Sequence, residues 1–303
     1  RYLFYYISEK CRIKVEERRG EQVSRIRERH PKHIFKVIVA LIIGLIVVFP
    51  FFWLMLLSFK TDTAILNEPF SLPESWNLDN YKRALAVLDL PLLYKNTGIL
   101  VFFTQLLGLL ITFMSSYCLS RMVFKSEKVR NGLYMFMLIG LTIPSYLLLF
   151  PLYRVTIMLH LQNTYLSLIL PLTATSISFN TLLFVGFLRD FPEEIEEAAI
   201  IDGCNLASLC IKIIIPIIKP VFATLVVFNV IYVWNEYPLS VTLISDATKM
   251  TISLGASMFR GTYSMDYSGM VASAVLVILP QLIFYVLLQK YIIEGMTAGA
   301  VKG

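Results

Sequence analysis

The stretch Ile34-Phe-Lys-Val-Ile-Val-Ala-Leu-Ile-Ile-Gly-Leu-Ile-Val-Val-Phe-Pro-Phe-Phe-Trp-Leu-Met-Leu-Leu-Ser58 decides the class of fold. After Lys36 no charge interrupts it, and about 20 apolar residues in a helix cross the hydrocarbon core of a bilayer. It exceeds the roughly 7–15-residue apolar region of a secretory leader, and no A-x-A cleavage site follows, so it reads as an uncleaved membrane helix. Five more runs follow at about 97–120, 132–158, 164–188, 221–244 and 270–289. They are continuous rather than alternating over about 10 residues, which excludes a membrane β-barrel. The expected fold is all-α, a polytopic membrane bundle of six transmembrane helices. It divides into a basic segment, 1–33, and a membrane domain, 34–303.

Composition points the same way. Hydrophobic residues make up 57% of the 303 and charged ones 16%, where a soluble domain carries about 25% charge; mean hydropathy is +0.69. A net charge of +6 would suggest nucleic acid if it lay on one face. Instead, eleven of the 27 basic residues precede residue 37 and most others sit in short connections. Six spans put both termini on one side, and twenty of the 27 fall there, including Arg121, Lys125, Lys128, Arg130, Arg189 and Lys212. That excess marks the side as cytoplasmic. Residues 1–33, with mixed charge and a basic excess, suit a solvated helix near anionic lipid. Neither the four cysteines nor His30 and His33 have a metal-ligand spacing, so no zinc site or disulfide is expected. The outer segments 59–96, with a short helix near 78–88, and 245–269 read equally as docking surfaces or solvated connections.

Apart from Lys36 at the inner end of the first span, only Arg154 and Glu236 are charged within the spans. Ion-coupled carriers place carboxylate or histidine relays inside the bundle, and two distant charges make a poor one. No GxxxxGK[ST] loop is present to hold a nucleotide. Energy for active transport would therefore come from another chain.

The inner loop, about 189–220, is the place to receive it. It reads Arg189-Asp-Phe-Pro-Glu-Glu-Ile-Glu-Glu-Ala-Ala-Ile-Ile-Asp-Gly-Cys-Asn205 and runs on to Pro216 and Pro220. Asp190, with Pro192 and Glu193 behind it, reads as a helix start. Ile195, Ala198 and Ala199 then fall on one face with the carboxylates opposite. Gly203 ends that helix, Asn205 starts a second running to Ile215, and the prolines turn the chain into the fifth span. An amphipathic connector resting on headgroups fits the same pattern.

Glu197-Ala-Ala-Ile-Ile-Asp-Gly203, with Pro216 thirteen residues beyond the glycine, resembles the EAA loop of ABC importer permeases. Val233-Trp-Asn-Glu-Tyr-Pro-Leu239 and the ending Gly295-Met-Thr-Ala-Gly-Ala-Val-Lys-Gly303 resemble the carbohydrate, maltose-type branch of that family. The resemblance covers about 34–303 and departs from the pattern at Cys204 and Cys210. It implies a type I ABC importer transmembrane domain that is not itself an enzyme. Glu197, Ala198, Ala199, Asp202, Gly203 and Pro216 would couple to an ATPase subunit, with Gly299 to Gly303 as a second contact. It further implies two ATPase subunits carrying ATP and Mg, no cofactor on this chain, a second permease subunit, an extracytoplasmic solute-binding protein and a bacterial inner-membrane location.

Asn229, Tyr232 and Glu236, at i, i+3 and i+7, share one face of a continuous fifth span, with Trp234 and Asn235 beside them. Aromatic stacking and hydrogen bonding suit a sugar in a watery path; helix–helix hydrogen bonding fits the same residues. Sugar or oligosaccharide import by alternating access is the leading expectation. An ABC permease for an amino acid, polyamine or anion, and an ion-coupled carrier or channel, are the alternatives.

Overall fold

A computed structural model describes residues 35–259 and 265–298, with side chains as far as Lys290. The expectations for residues 1–33 and for Gly299 to Gly303 lie outside the described residues. The chain divides at Leu57 into two units. In the first, α1 (Phe35–Leu57) has 23 residues and a mean hydropathy of 3.0. At 1.5 Å per residue it is about 34 Å long, enough to cross a bilayer core.

The second unit is built on α4 (Leu90–Arg121) and α7 (Leu166–Asp190), which pack along much of their length. Thr104, Gly108, Thr112 and Ser116 recur every fourth residue on the buried face of α4. They meet Ser176, Asn180 and Thr181 of α7, all buried. A Cβ on Gly108 would come within 2.8 Å of the Ser176 hydroxyl oxygen. Small residues at this spacing bring two backbones together, and in lipid such close packing replaces the hydrophobic drive that water supplies. Thr112 donates its hydroxyl back to the Gly108 carbonyl, so its polar group does not face lipid unmet.

Around this pair lie α11 (Lys219–Trp234) and α13 (Tyr267–Ala298), which contact each other. Toward the C-terminal end of α7, Phe113, Phe184 and Phe222 interlock with ring centroids 4.8–5.8 Å apart. At the opposite end, α2 (Asp62–Asn67) and α3 (Asp79–Val87) form a small platform. Buried Lys60 donates to the Glu68 carbonyl at 2.7 Å and to Ser71 Oγ at 2.8 Å. The amide of Asn80 ties down the carbonyls of Ser58 and Lys60. Arg83 reaches Ser268 at the start of α13.

Among the described residues four helices are long and apolar enough to cross a membrane, or up to six if each of two bent pairs is one span. The expected third span is not one helix: α5 (Glu127–Leu138) leads through 3-10 turns into α6 (Leu149–Met158), with a bend of 94°. Pro144 is the cause, because it forces Ile143 out of the helical region (φ −95°, ψ 114°). The expected fifth span is broken as well. There α11 stops at Trp234 and a separate helix, α12 (Pro238–Leu243), begins after a three-residue break. The short helix expected near 78–88 is α3, while α4 begins at Leu90, ahead of the apolar run, because Asp89 caps Leu92 N–H at 3.2 Å. Among the described residues there is no β-strand.

Candidate functional site

The loop after α7 forms α8 (Glu193–Ile201), a glycine joint and α9 (Leu206–Leu209). Asp190 is not the helix start: it closes α7, and Pro192 stands at the N-terminal boundary of α8. The other end matches expectation. Gly203 has φ +83°, its N–H bonds the Ile200 carbonyl, and the Cys204 N–H bonds the Ala199 carbonyl. That pair of bonds is a Schellman closure, which needs the left-handed conformation glycine adopts without strain. Asn205 caps α9 by accepting from Ser208 N–H at 2.8 Å.

The expected regular helix to Ile215 is instead interrupted by a π-helical turn, Cys210–Ile214, where Ile215 N–H bonds the Cys210 carbonyl. Pro216 has no N–H for the Lys212 carbonyl, and its ring crowds that carbonyl, so the ladder slips by one residue. α10 (Ile215–Ile217) follows, and the chain then bends by 76° into α11, with Pro220 in the first turn.

The faces of α8 differ from the expected pattern. Ala199 packs inward against a cluster that includes Leu209, Ile214 and Ile218, whereas Ala198 and Ile195 are exposed. Nor do all the carboxylates face out. Glu196 is buried, accepting from Arg121 Nε at 2.7 Å and from the Tyr117 hydroxyl at 3.0 Å. Arg121 also pairs with Glu193 at 3.1 Å and donates to the Phe191 carbonyl. With both side chains under 10% exposed, removing one partner of such an ion pair costs about 3–5 kcal/mol.

Of the residues expected to couple, Glu197, Ala198, Asp202 and Gly203 therefore share the exposed side with Ile200 and Ile201, the latter 85% exposed. Ala199 lies beneath them, and Pro216 is exposed at the far end of the loop. Arg121, Tyr117 and Glu196 were missed. The available signal was helical phase: Glu196 stands three residues before Ala199, on the face that turns inward.

The second candidate region is a pair of clefts beside α11. One, of about 350 Å³, is lined by Ser145, Tyr146, Tyr232, Asn235 and Glu236. The other, of about 550 Å³, is lined by Ser176, Phe179, Phe228, Asn229 and Tyr232. The Ser145 and Tyr232 hydroxyls, 3.3 Å apart, stand between them. Asn229 donates to Asn180 Oδ1 at 3.0 Å, which ties α11 to α7.

The expected helical stripe through Glu236 does not form, because α11 has already ended. The Glu236 carboxylate instead accepts the Leu239 N–H at 2.7 Å in the first turn of α12. Its carbonyl accepts from Ser240 and Ser253. Trp234 points away from both clefts: its indole donates to the Val277 carbonyl at 3.2 Å and stacks on Tyr94.

Helices bent around largely apolar clefts that carry a few polar groups, with an exposed helix–glycine–helix on one loop, define a class: a polytopic α-helical membrane permease. The chain belongs to the family of binding-protein-dependent transport system inner membrane components, which matches residues 108–297. It is 35% identical, over 84% of its length and 91% of the relative's, to the protein named as ABC transporter permease ORF2 in Caldicellulosiruptor sp. (strain Rt8B.4). It is 31% identical, over 86% and 85%, to the diacetylchitobiose uptake system permease protein NgcG of Streptomyces coelicolor. In fold it is similar to a chain of a bacterial ABC transporter involved in the import of the acidic polysaccharide alginate. The TM-score is 0.71 over 86% of this chain and 96% of that one, at 22% identity.

Proposed function

We propose that this chain is the permease subunit of a bacterial ABC importer for a sugar or oligosaccharide. It hydrolyses nothing itself; ATP and Mg are held by two ATPase subunits. The observation that carries the reading is the exposed side of α8, where Glu197, Ala198, Ile201, Asp202 and Gly203 form a mixed apolar and acidic surface. That surface is the ATPase contact. ATPase closure pushes on it and switches the spans between inward- and outward-facing states. A second permease subunit completes the path and an extracytoplasmic solute-binding protein delivers the solute. The termini are cytoplasmic, as the excess of basic residues on that side supports.

The sugar reading is supported by the relative whose name specifies diacetylchitobiose and by the character of the clefts. Tyr232 and Phe228 offer aromatic faces, and Ser145, Asn229 and Asn235 offer hydrogen-bonding groups. Sugars need both. Trp234, turned away, is assigned to packing rather than to the path.

Gly203→Val tests the coupling role. No atom lies within 4 Å of the site of a Cβ at Gly203, so the only penalty is for φ +83°, about 1–2 kcal/mol and more for a β-branched residue. The expected result is a complex that still binds its ATPase but imports about tenfold less solute per ATP hydrolysed. Wild-type uptake per ATP would contradict the role.

A further inference from the structure

Arg121 closes α4, the longest helix of the α4–α7 pair, and spends its guanidinium on the loop opposite. Its Nε donates to Glu196 at 2.7 Å, Nη1 to Glu193 at 3.1 Å and Nη2 to the carbonyl of Phe191, whose ring lies 5.8 Å from the guanidinium carbon. One turn back on α4, Tyr117 takes the other oxygen of Glu196 at 3.0 Å. Two residues at i and i+4 on α4 thus grip α8 and its connection to α7 at three successive places: the linking turn, the first residue of α8, and Glu196 one turn along. A planar fork with several fixed donors sets direction as well as distance.

Beyond Gly203 the loop is built differently. An exposed joint, a four-residue helix, a π turn and a 76° bend separate α8 from α11. Stiffness therefore lies on the α4 side of α8 and irregular backbone on the α11 side.

We infer that Arg121 is a positioning residue that joins α8 and the inner end of α4 into one rigid body, so that a push on the exposed side of α8 moves α4 directly. This rests on the reading of α8 as the ATPase contact. Its consequence is directional: α4 carries the stroke into the bundle, and the π turn absorbs the change of angle toward α11. Lysine cannot substitute fully, since a single ammonium does not reach three separated acceptors in a fixed fork.

Two measurements on the assembled complex test it, in a background with the four native cysteines replaced. Spin labels at Met122→Cys, where α4 ends, and at Glu194→Cys, exposed in α8 and outside the residues assigned to the ATPase contact, report the distance between the two elements. With Arg121 in place the distribution is expected to stay narrow and unchanged between the ATP-free and ATP-trapped states. With Arg121→Gln it is expected to broaden, and solute imported per ATP to fall by about tenfold. Arg121→Lys is expected to fall less, and the exchange Arg121→Glu with Glu196→Arg to recover most of the loss. A distance that changes on ATP trapping with Arg121 present would overturn the inference, and that arm does not depend on any variant folding. So would Arg121→Gln behaving as wild type in both readouts. If the ATPase fails to co-purify even with native Arg121, the α8 contact reading fails instead, which separates the two outcomes.

Discussion

A glycine at φ +83° carries the joint between α8 and α9, and the backbone groups around it are spent on one another. At this scale Glu236 is also a backbone device: its carboxylate holds the buried Leu239 N–H at 2.7 Å. Two roles for it predict different results. As a cap, Glu236→Gln keeps an acceptor oxygen, so thermal midpoint and uptake should both stay close to wild type. Glu236→Ala strands the N–H, at about 1–3 kcal/mol, and should lower the midpoint seen by melting in detergent. Loss of uptake in Glu236→Gln without loss of stability would show that the solute needs the charge.

Gly203 and Asn205 were legible because caps are local: the residues that make the bonds lie within five positions of one another. Glu196 was not, because its partners Tyr117 and Arg121 stand 79 and 75 residues away. Helical phase groups Glu196 with Ala199, but it takes those distant partners to fix that face as the inward one.

The elements owe their packing to a few small side chains. Gly108 lets α4 and α7 approach until a Cβ there would touch the Ser176 hydroxyl. Gly108→Leu should therefore push the pair apart, costing about 1–3 kcal/mol as overpacking does, and lower the melting midpoint of the purified subunit. An unchanged midpoint would mean that the seam is more yielding than its geometry indicates. Spans at 34–58 and 164–188 were readable to within two residues of α1 and α7, since unbroken apolar runs have one answer in lipid. The bent pairs were not readable in the same way. Hydropathy sums the transfer of side chains and carries no record of chain direction, so Pro144 and the Asn235–Tyr237 break passed as the interior of spans three and five. Both breaks border the clefts beside α11, where irregular backbone can reach partners other than lipid.

At the scale of the whole molecule, the family is established and the source of energy is the central claim. A permease with so few charges in its spans, and with an exposed α8 surface, is expected to take its work from ATP rather than from an ion gradient. The most direct test is uptake of labelled oligosaccharide by the complex purified from its native membranes and reconstituted in liposomes with its solute-binding protein. The account predicts uptake that requires ATP on the α8 side and continues when a protonophore collapses the proton gradient. Uptake that persists without ATP and stops with the protonophore would contradict it.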